Sequence, residues 1–110
     1  MFRAELNRLS EGSLLKMEGR LVGEWANEVK SLLTHGPAPK GLIVDLTEVS
    51  YVDAVGEQVL TWMSSLGAKF VAHAVYAATT CKRLNLTVYN KPILDKPIYR
   101  GALVAQESTH

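Results

Sequence analysis

The sequence predicts an α/β fold, with strands and helices alternating after an N-terminal hairpin. Three observations predict it. Leu42-Ile43-Val44 is a short run of branched apolar residues between turn signals. Two stretches, from Trp25 to Leu33 and from Val55 to Leu66, carry apolar residues at helical spacing. Phe70-Val71-Ala72 is a further apolar run after the second of these. Strands separated by helices in this way pair in parallel through right-handed crossovers.

The elements follow in order. Met1 to Leu9 alternates weakly and reads as an edge strand, ended by the turn signal Glu11-Gly12-Ser13. Leu14 to Glu18 reads as the second strand, with Leu15 and Met17 on one face. Gly19 to Gly23 forms the turn and approach to the first helix. In that helix Trp25, Val29, Leu32 and Leu33 make the apolar stripe, and Glu24 suits the positive end of its dipole. Gly36 and Pro37 end it. Leu42 to Val44 has the pattern of a strand covered on both faces. A short turn then leads to Asp53, which offers its carboxylate as N-cap to the second helix. Val55, Val59, Trp62, Met63 and Leu66 form that helix's buried stripe, and Gly67 supplies its C-cap. A third, short helix from Ala77 to Leu84 turns Ala78, Cys81 and Leu84 inward.

Residues 1–90 make one domain. Leu86-Thr87-Val88-Tyr89 reads as a last strand, with a weaker signal. The segment 91–110 contains Lys-Pro-Ile twice, and two prolines this close exclude a helix interior. It reads as a partly ordered or disordered extension, with a partner-binding or dimer-exchanging arm as the alternative. Gln106 to His110 reads as disordered.

Composition excludes several function classes. The chain has 110 residues, 47% hydrophobic and 21% charged, which suits one soluble globular domain. With 12 basic and 11 acidic residues and a net charge of +1, no basic footprint for nucleic acid stands out. No run approaches the ~20 apolar residues of a membrane span, and the N-terminus has no continuous apolar region of a signal peptide. A single cysteine, Cys81, permits no internal disulfide, and a cytoplasmic location is expected. His35, His73 and His110 lack metal-ligand spacing, and no glycine-rich nucleotide motif is present. His73 and Cys81 form no nucleophile motif, so the expectation is a non-enzyme without cofactor or metal. Asn85-Leu86-Thr87 matches a glycosylation sequon, which carries no meaning without a secretory signal.

The stretch from Gly41 to Gly67, above all Asp53-Ala54-Val55-Gly56, resembles the core of a STAS domain, the family of bacterial anti-sigma-factor antagonists. Gly19 to Trp25 resembles the turn that leads into the first helix of that family. The likeness covers about Leu14 to Leu84. It implies a mixed, curved sheet with helices on one face. It also implies a regulatory protein–protein interaction, with an anti-sigma factor or kinase-like ATPase as partner. In the family the turn carries a Ser or Thr that a partner kinase phosphorylates. Here that position is Ala54, and a methyl group cannot accept phosphoryl transfer. Thr47, Ser50 and Thr61 lie nearby, none at the motif position; each reads as a turn or surface hydroxyl.

The partner surface expected from this reading is Ser50, Asp53, Ala54, Val55, Glu57, Gln58 and Thr61, with Arg20 and Gly23 beside it. Asp53 is foremost a helix cap, and Gly56 permits close packing of the helix start. Arg20 reads as a solvated loop arginine, or as a group that reaches a partner carboxylate. Trp25 reads as core rather than recognition. Two other classes stay open: a small-ligand domain taking nucleotide or lipid at the helix N-terminus, and a homo-oligomer, such as a homodimer, built through the tail.

Overall fold

The chain runs β1 (Phe2–Leu9), β2 (Gly12–Leu21), α1 (Gly23–Thr34), β3 (Leu42–Val52), α2 (Ala54–Ser65), β4 (Lys69–Val71), α3 (Val75–Arg83) and β5 (Tyr99–Gln106). This computed structural model describes residues 2–9, 12–35, 41–89 and 99–106, the last stretch as backbone alone. The expected caps Gly36 and Pro37, together with 91–98 and 107–110, lie outside the described residues.

The fold is α/β, one mixed sheet in the order β4-β3-β2-β1-β5. β1 and β2 form the expected antiparallel hairpin, from Phe2 opposite Gly19 to Leu9 opposite Gly12. β2–α1–β3 and β3–α2–β4 are parallel βαβ units. Buried residues of β1–β4 share one apolar cluster with those of all three helices. Leu15, Met17 and Leu21 of β2 meet Val44, Leu46, Val49 and Val52 of β3 there. Glu5, Lys16 and Asp45 stand in register across the first three strands, alternating in sign, a favourable cross-strand arrangement.

Both central strands outrun their sequence signals. β2 continues through Gly19–Leu21, where a turn was expected, and β3 continues to Val52 instead of ending near Val44. The buried positions of β3 are Leu42, Val44, Leu46, Val49 and Val52. Their spacing lengthens from two to three because the pairing with β2 is irregular twice, between Lys16 and Glu18 and between Gly19 and Arg20. At each place β3 advances one residue more than β2, as a bulge does, so the alternation that marks a strand is broken in the sequence but not in space. Ile43 is only half-buried, so the strand is not covered on both faces as expected.

The helices bury somewhat different faces from those expected. α1 buries Ala26, Val29 and Leu33, while Trp25 and Leu32 pack against the cluster's margin. Trp25 stacks on Phe2 with ring centroids 6.0 Å apart. α2 buries Gly56, Val59, Leu60 and Met63, with Trp62 at the margin under the Lys30 ammonium of α1. Leu66 is 50% exposed rather than inward, because it is already the C-cap. α3 begins at Val75 and buries Ala77, Thr80 and Cys81; Ala78 faces solvent.

Two helices end in the same way. After α2, Gly67 at φ +90° donates to Ser64 O and Ala68 donates to Met63 O. After α3, Asn85 at φ +57° donates to Lys82 O and Leu86 donates to Cys81 O at 2.8 Å. Both are Schellman closures, in which a left-handed residue lets the chain satisfy the last carbonyls. The sequon asparagine is therefore a helix terminator. Leu86–Tyr89 makes only a bridge, Val88 beside Phe70, held by Phe70 N–H to Thr87 O and Tyr89 N–H to Phe70 O.

β5 pairs antiparallel with β1, from Arg3 opposite Gln106 to Arg8 opposite Tyr99, with two register irregularities. The sheet thus extends beyond the boundary at residue 90 that the sequence suggests, and Gln106 closes a strand rather than opening a disordered end.

Asn85→Val should destabilise the protein by about 1–2 kcal/mol, since a branched side chain resists the left-handed region. Asn85→Gly should be neutral or mildly stabilising. Urea unfolding with an unchanged denaturant slope would measure both; an Asn85→Val variant as stable as the parent would refute the account.

Candidate functional site

β2 and β3 are parallel and end together, Leu21 opposite Val52. The starts of α1 and α2 therefore meet at one edge of the sheet, the carboxyl edge where open α/β proteins bind their ligands. Asp53 sits between them. Its Oδ1 accepts from Gly56 N–H at 2.8 Å, capping α2, and its Oδ2 accepts from Gly23 N–H at 3.0 Å, the first residue of α1. One carboxylate thus serves two helix starts, each with orphan amides and a positive dipole end.

Gly56 makes the clasp possible. A Cβ there would stand 2.3 Å from Leu21 O and 2.7 Å from Val52 Cγ1. Only a glycine lets the first turn of α2 approach the end of β2 so closely. Gly23 contributes differently: its φ of +49° turns the chain out of β2, with open space where a side chain would be.

Around this clasp the expected surface residues separate. Ala54, Gln58 and Thr61 fall at i, i+4 and i+7 and form an exposed stripe along α2. Val55 is half-buried and packs against the core. Asp53 and Gly23 are half-buried and bound to each other. Ser50 is exposed but belongs to β3, at its second bulge. Thr47 is likewise in β3, not a turn, and its hydroxyl oxygen is buried.

Arg20 is a strand residue, not a loop residue, and lies opposite Tyr51 in register. Its guanidinium carbon stands 5.2 Å from the Tyr51 ring centroid. Tyr51 stacks in turn on Tyr76 of α3, centroids 6.4 Å apart and planes 25° from parallel. The Tyr76 hydroxyl accepts from Val52 N–H at 2.8 Å, at the end of β3. The sequence reading missed Tyr51, Tyr76 and Val75. The available signal was a pair of tyrosines, one just before Asp53 and one at the start of a helix that a parallel sheet brings to the same edge.

Glu57, in the first turn of α2, forms an ion pair with Arg83 in the last turn of α3. The hydrogen bond from Arg83 holds the Glu57 carboxyl below its ordinary range, and the same pairing holds the guanidinium above its own. Both side chains are partly exposed, so solvent and salt weaken the pair.

Cys81 is wholly buried, and desolvation pushes its thiol up, away from the reactive thiolate. His73 is exposed in the loop after β4. Among the described residues no group of His, Cys, Asp or Glu could hold a metal ion, and no helix is long and apolar enough to cross a membrane. No protein-family model matches the chain, and no curated protein is significantly similar to it.

Asp53→Ala leaves two helix-start amides without their acceptor and should cost about 1–3 kcal/mol in chemical unfolding. Gly56→Ala should cost a similar ~1–3 kcal/mol, because a backbone carbonyl cannot yield by changing rotamer. Parental stability in either variant would show that the clasp does not hold the edge together.

The Glu57 carboxyl is depressed in the folded state, so its contribution to stability is present above the ordinary glutamate range and is lost as pH falls through the lowered value. Arg83→Gln should move the Glu57 titration, followed by carbon NMR, upward toward ordinary glutamate, and the shift should shrink in high salt.

Proposed function

We propose that this chain is a non-catalytic regulatory module that docks a protein partner through the Asp53–Gly56 turn and the exposed stripe of α2. The observation that carries the reading is the clasp. A turn tied at both carboxylate oxygens, and seated by a glycine, presents Ala54, Gln58 and Thr61 on a fixed support. A surface ordered before binding loses little entropy on association, which suits recognition.

The STAS-like motif supports the same reading and suggests an anti-sigma factor or kinase-like ATPase as partner, in the cytoplasm of a bacterium. With an exposed methyl group at Ala54, the module acts as a constitutively unphosphorylated antagonist, or as a docking unit uncoupled from the kinase. Anion or nucleotide binding at the α2 start is the weaker reading, because Asp53 already takes the Gly56 amide and repels a second negative group.

The test is affinity capture from the source cells with the unmodified chain beside a Gln58→Lys/Thr61→Lys variant of verified fold. Loss of one ATPase or anti-sigma protein from the variant alone supports the reading. Equal retention by both baits, or no specific partner from stressed cells, sinks it. With that partner in hand, Ala54→Ser should restore phosphorylation by a kinase partner; a variant that stays unmodified would mean the turn differs from the family in more than one methyl group.

A further inference from the structure

The aromatic stack beside the clasp has chemistry of its own. Val75 is 83% exposed, Tyr51 45% and Tyr76 37%, three large apolar groups on neighbouring elements at the carboxyl edge. Tyr51 and Tyr76 are stacked on each other, and Val75 precedes Tyr76 at the start of α3. Exposed apolar groups gathered at one edge, unlike a scattered surface leucine, call for an occupant. Two hydrogen-bond donors lie beside these groups. Tyr76 accepts from Val52 N–H, which leaves its own proton to donate. Arg20 lies on the Tyr51 ring and, among the described residues, has no carboxylate partner.

The nearby acids are arranged differently. Both oxygens of Asp53 are taken by backbone amides, and Glu57 is paired with Arg83. Glu18 and Glu48 stand opposite each other on β2 and β3, further from the edge than Arg20 and Tyr51, with the pair Gly19 and Val49 between. Arginine and tyrosine are also the residue types enriched where binding energy concentrates.

We propose that Arg20, Tyr51, Val75 and Tyr76 extend the docking surface and receive a partner segment in which a carboxylate flanks an apolar side chain. The apolar group packs on Val75 and the tyrosine rings. The carboxylate accepts from the Arg20 guanidinium as a charge-assisted hydrogen bond, and the Tyr76 hydroxyl donates to a further polar group of the segment. This rests on the reading of the adjoining Asp53 turn as a docking site, and it adds the partner's chemistry.

The test is an amide NMR titration of the full chain with two blocked tetrapeptides, Asp-Leu-Phe-Asp and Lys-Leu-Phe-Lys. The acidic probe should give saturable shifts at Arg20, Tyr51, Val75 and Tyr76. Arg20→Gln should weaken it by about fivefold, the scale of one partly exposed charge pair. Equal or stronger binding of the basic probe overturns the proposal and points to Glu18 and Glu48. Absence of saturable shifts at these four residues overturns it too. Concentration-dependent shifts without probe overturn it in favour of a second copy of the chain.

The two readings fail separately. Partner capture that Gln58→Lys/Thr61→Lys abolishes, but Arg20→Gln/Val75→Asp leaves intact, removes this proposal and keeps the docking module. Acidic-probe shifts with no captured partner would do the reverse.

Discussion

The architecture of the sheet's carboxyl edge depends on one carboxylate. Asp53 accepts from the start of α1 and the start of α2, so the two βαβ units are joined at their tops as well as through the core. Hydrogen bonds from amides to an ionised acceptor are stronger than neutral ones, and two helix dipoles add to them. The close approach of Gly56 to Leu21 O is the steric half of the same arrangement. A bulkier residue at Gly56 would lift α2 off β2 and lengthen the bond from Gly23 to Asp53.

Much of this was legible in the sequence, and the reasons differ by element. Asp53 and Gly56 were readable as cap and close-packing glycine because helix starts have strong local chemistry. The hairpin and the βαβ alternation were readable from periodicity. The length of β3 was not, since two bulges place its inward residues three apart where a strand signal needs two. Leu60 and Leu66 exchanged roles for a related reason. An apolar stripe tells which side of a helix is inward, but Leu66 lies past the last turn, where the chain already bends away. β5 follows a segment with paired prolines, and nothing local in that segment reveals an open strand edge nearly a chain-length earlier.

The candidate site was legible in part. The stripe of Ala54, Gln58 and Thr61 follows from helical spacing once the start of α2 is placed. The stack of Arg20, Tyr51 and Tyr76 does not, because its members come from β2, β3 and α3 and meet only through the parallel register. Arg20 looked like a loop residue for want of the strand around it. Missing the bulge hid the fact that Tyr51 would sit beside it.

The pairing of β1 with β5 bears on how this protein is made. β1 and β5, far apart along the chain, stand side by side, with Arg3 opposite Gln106. On a ribosome, β1 can zip to β2 within moments, yet its other edge has no partner until Tyr99–Gln106 has emerged. Throughout that interval a bare row of amides and carbonyls is open to any passing extended segment. Closing so long a loop also makes the final step slow compared with hairpin formation. The nascent chain therefore passes through a sheet that lacks β5 and is open along β1, and crowding by neighbouring copies during synthesis is the hazard this topology carries.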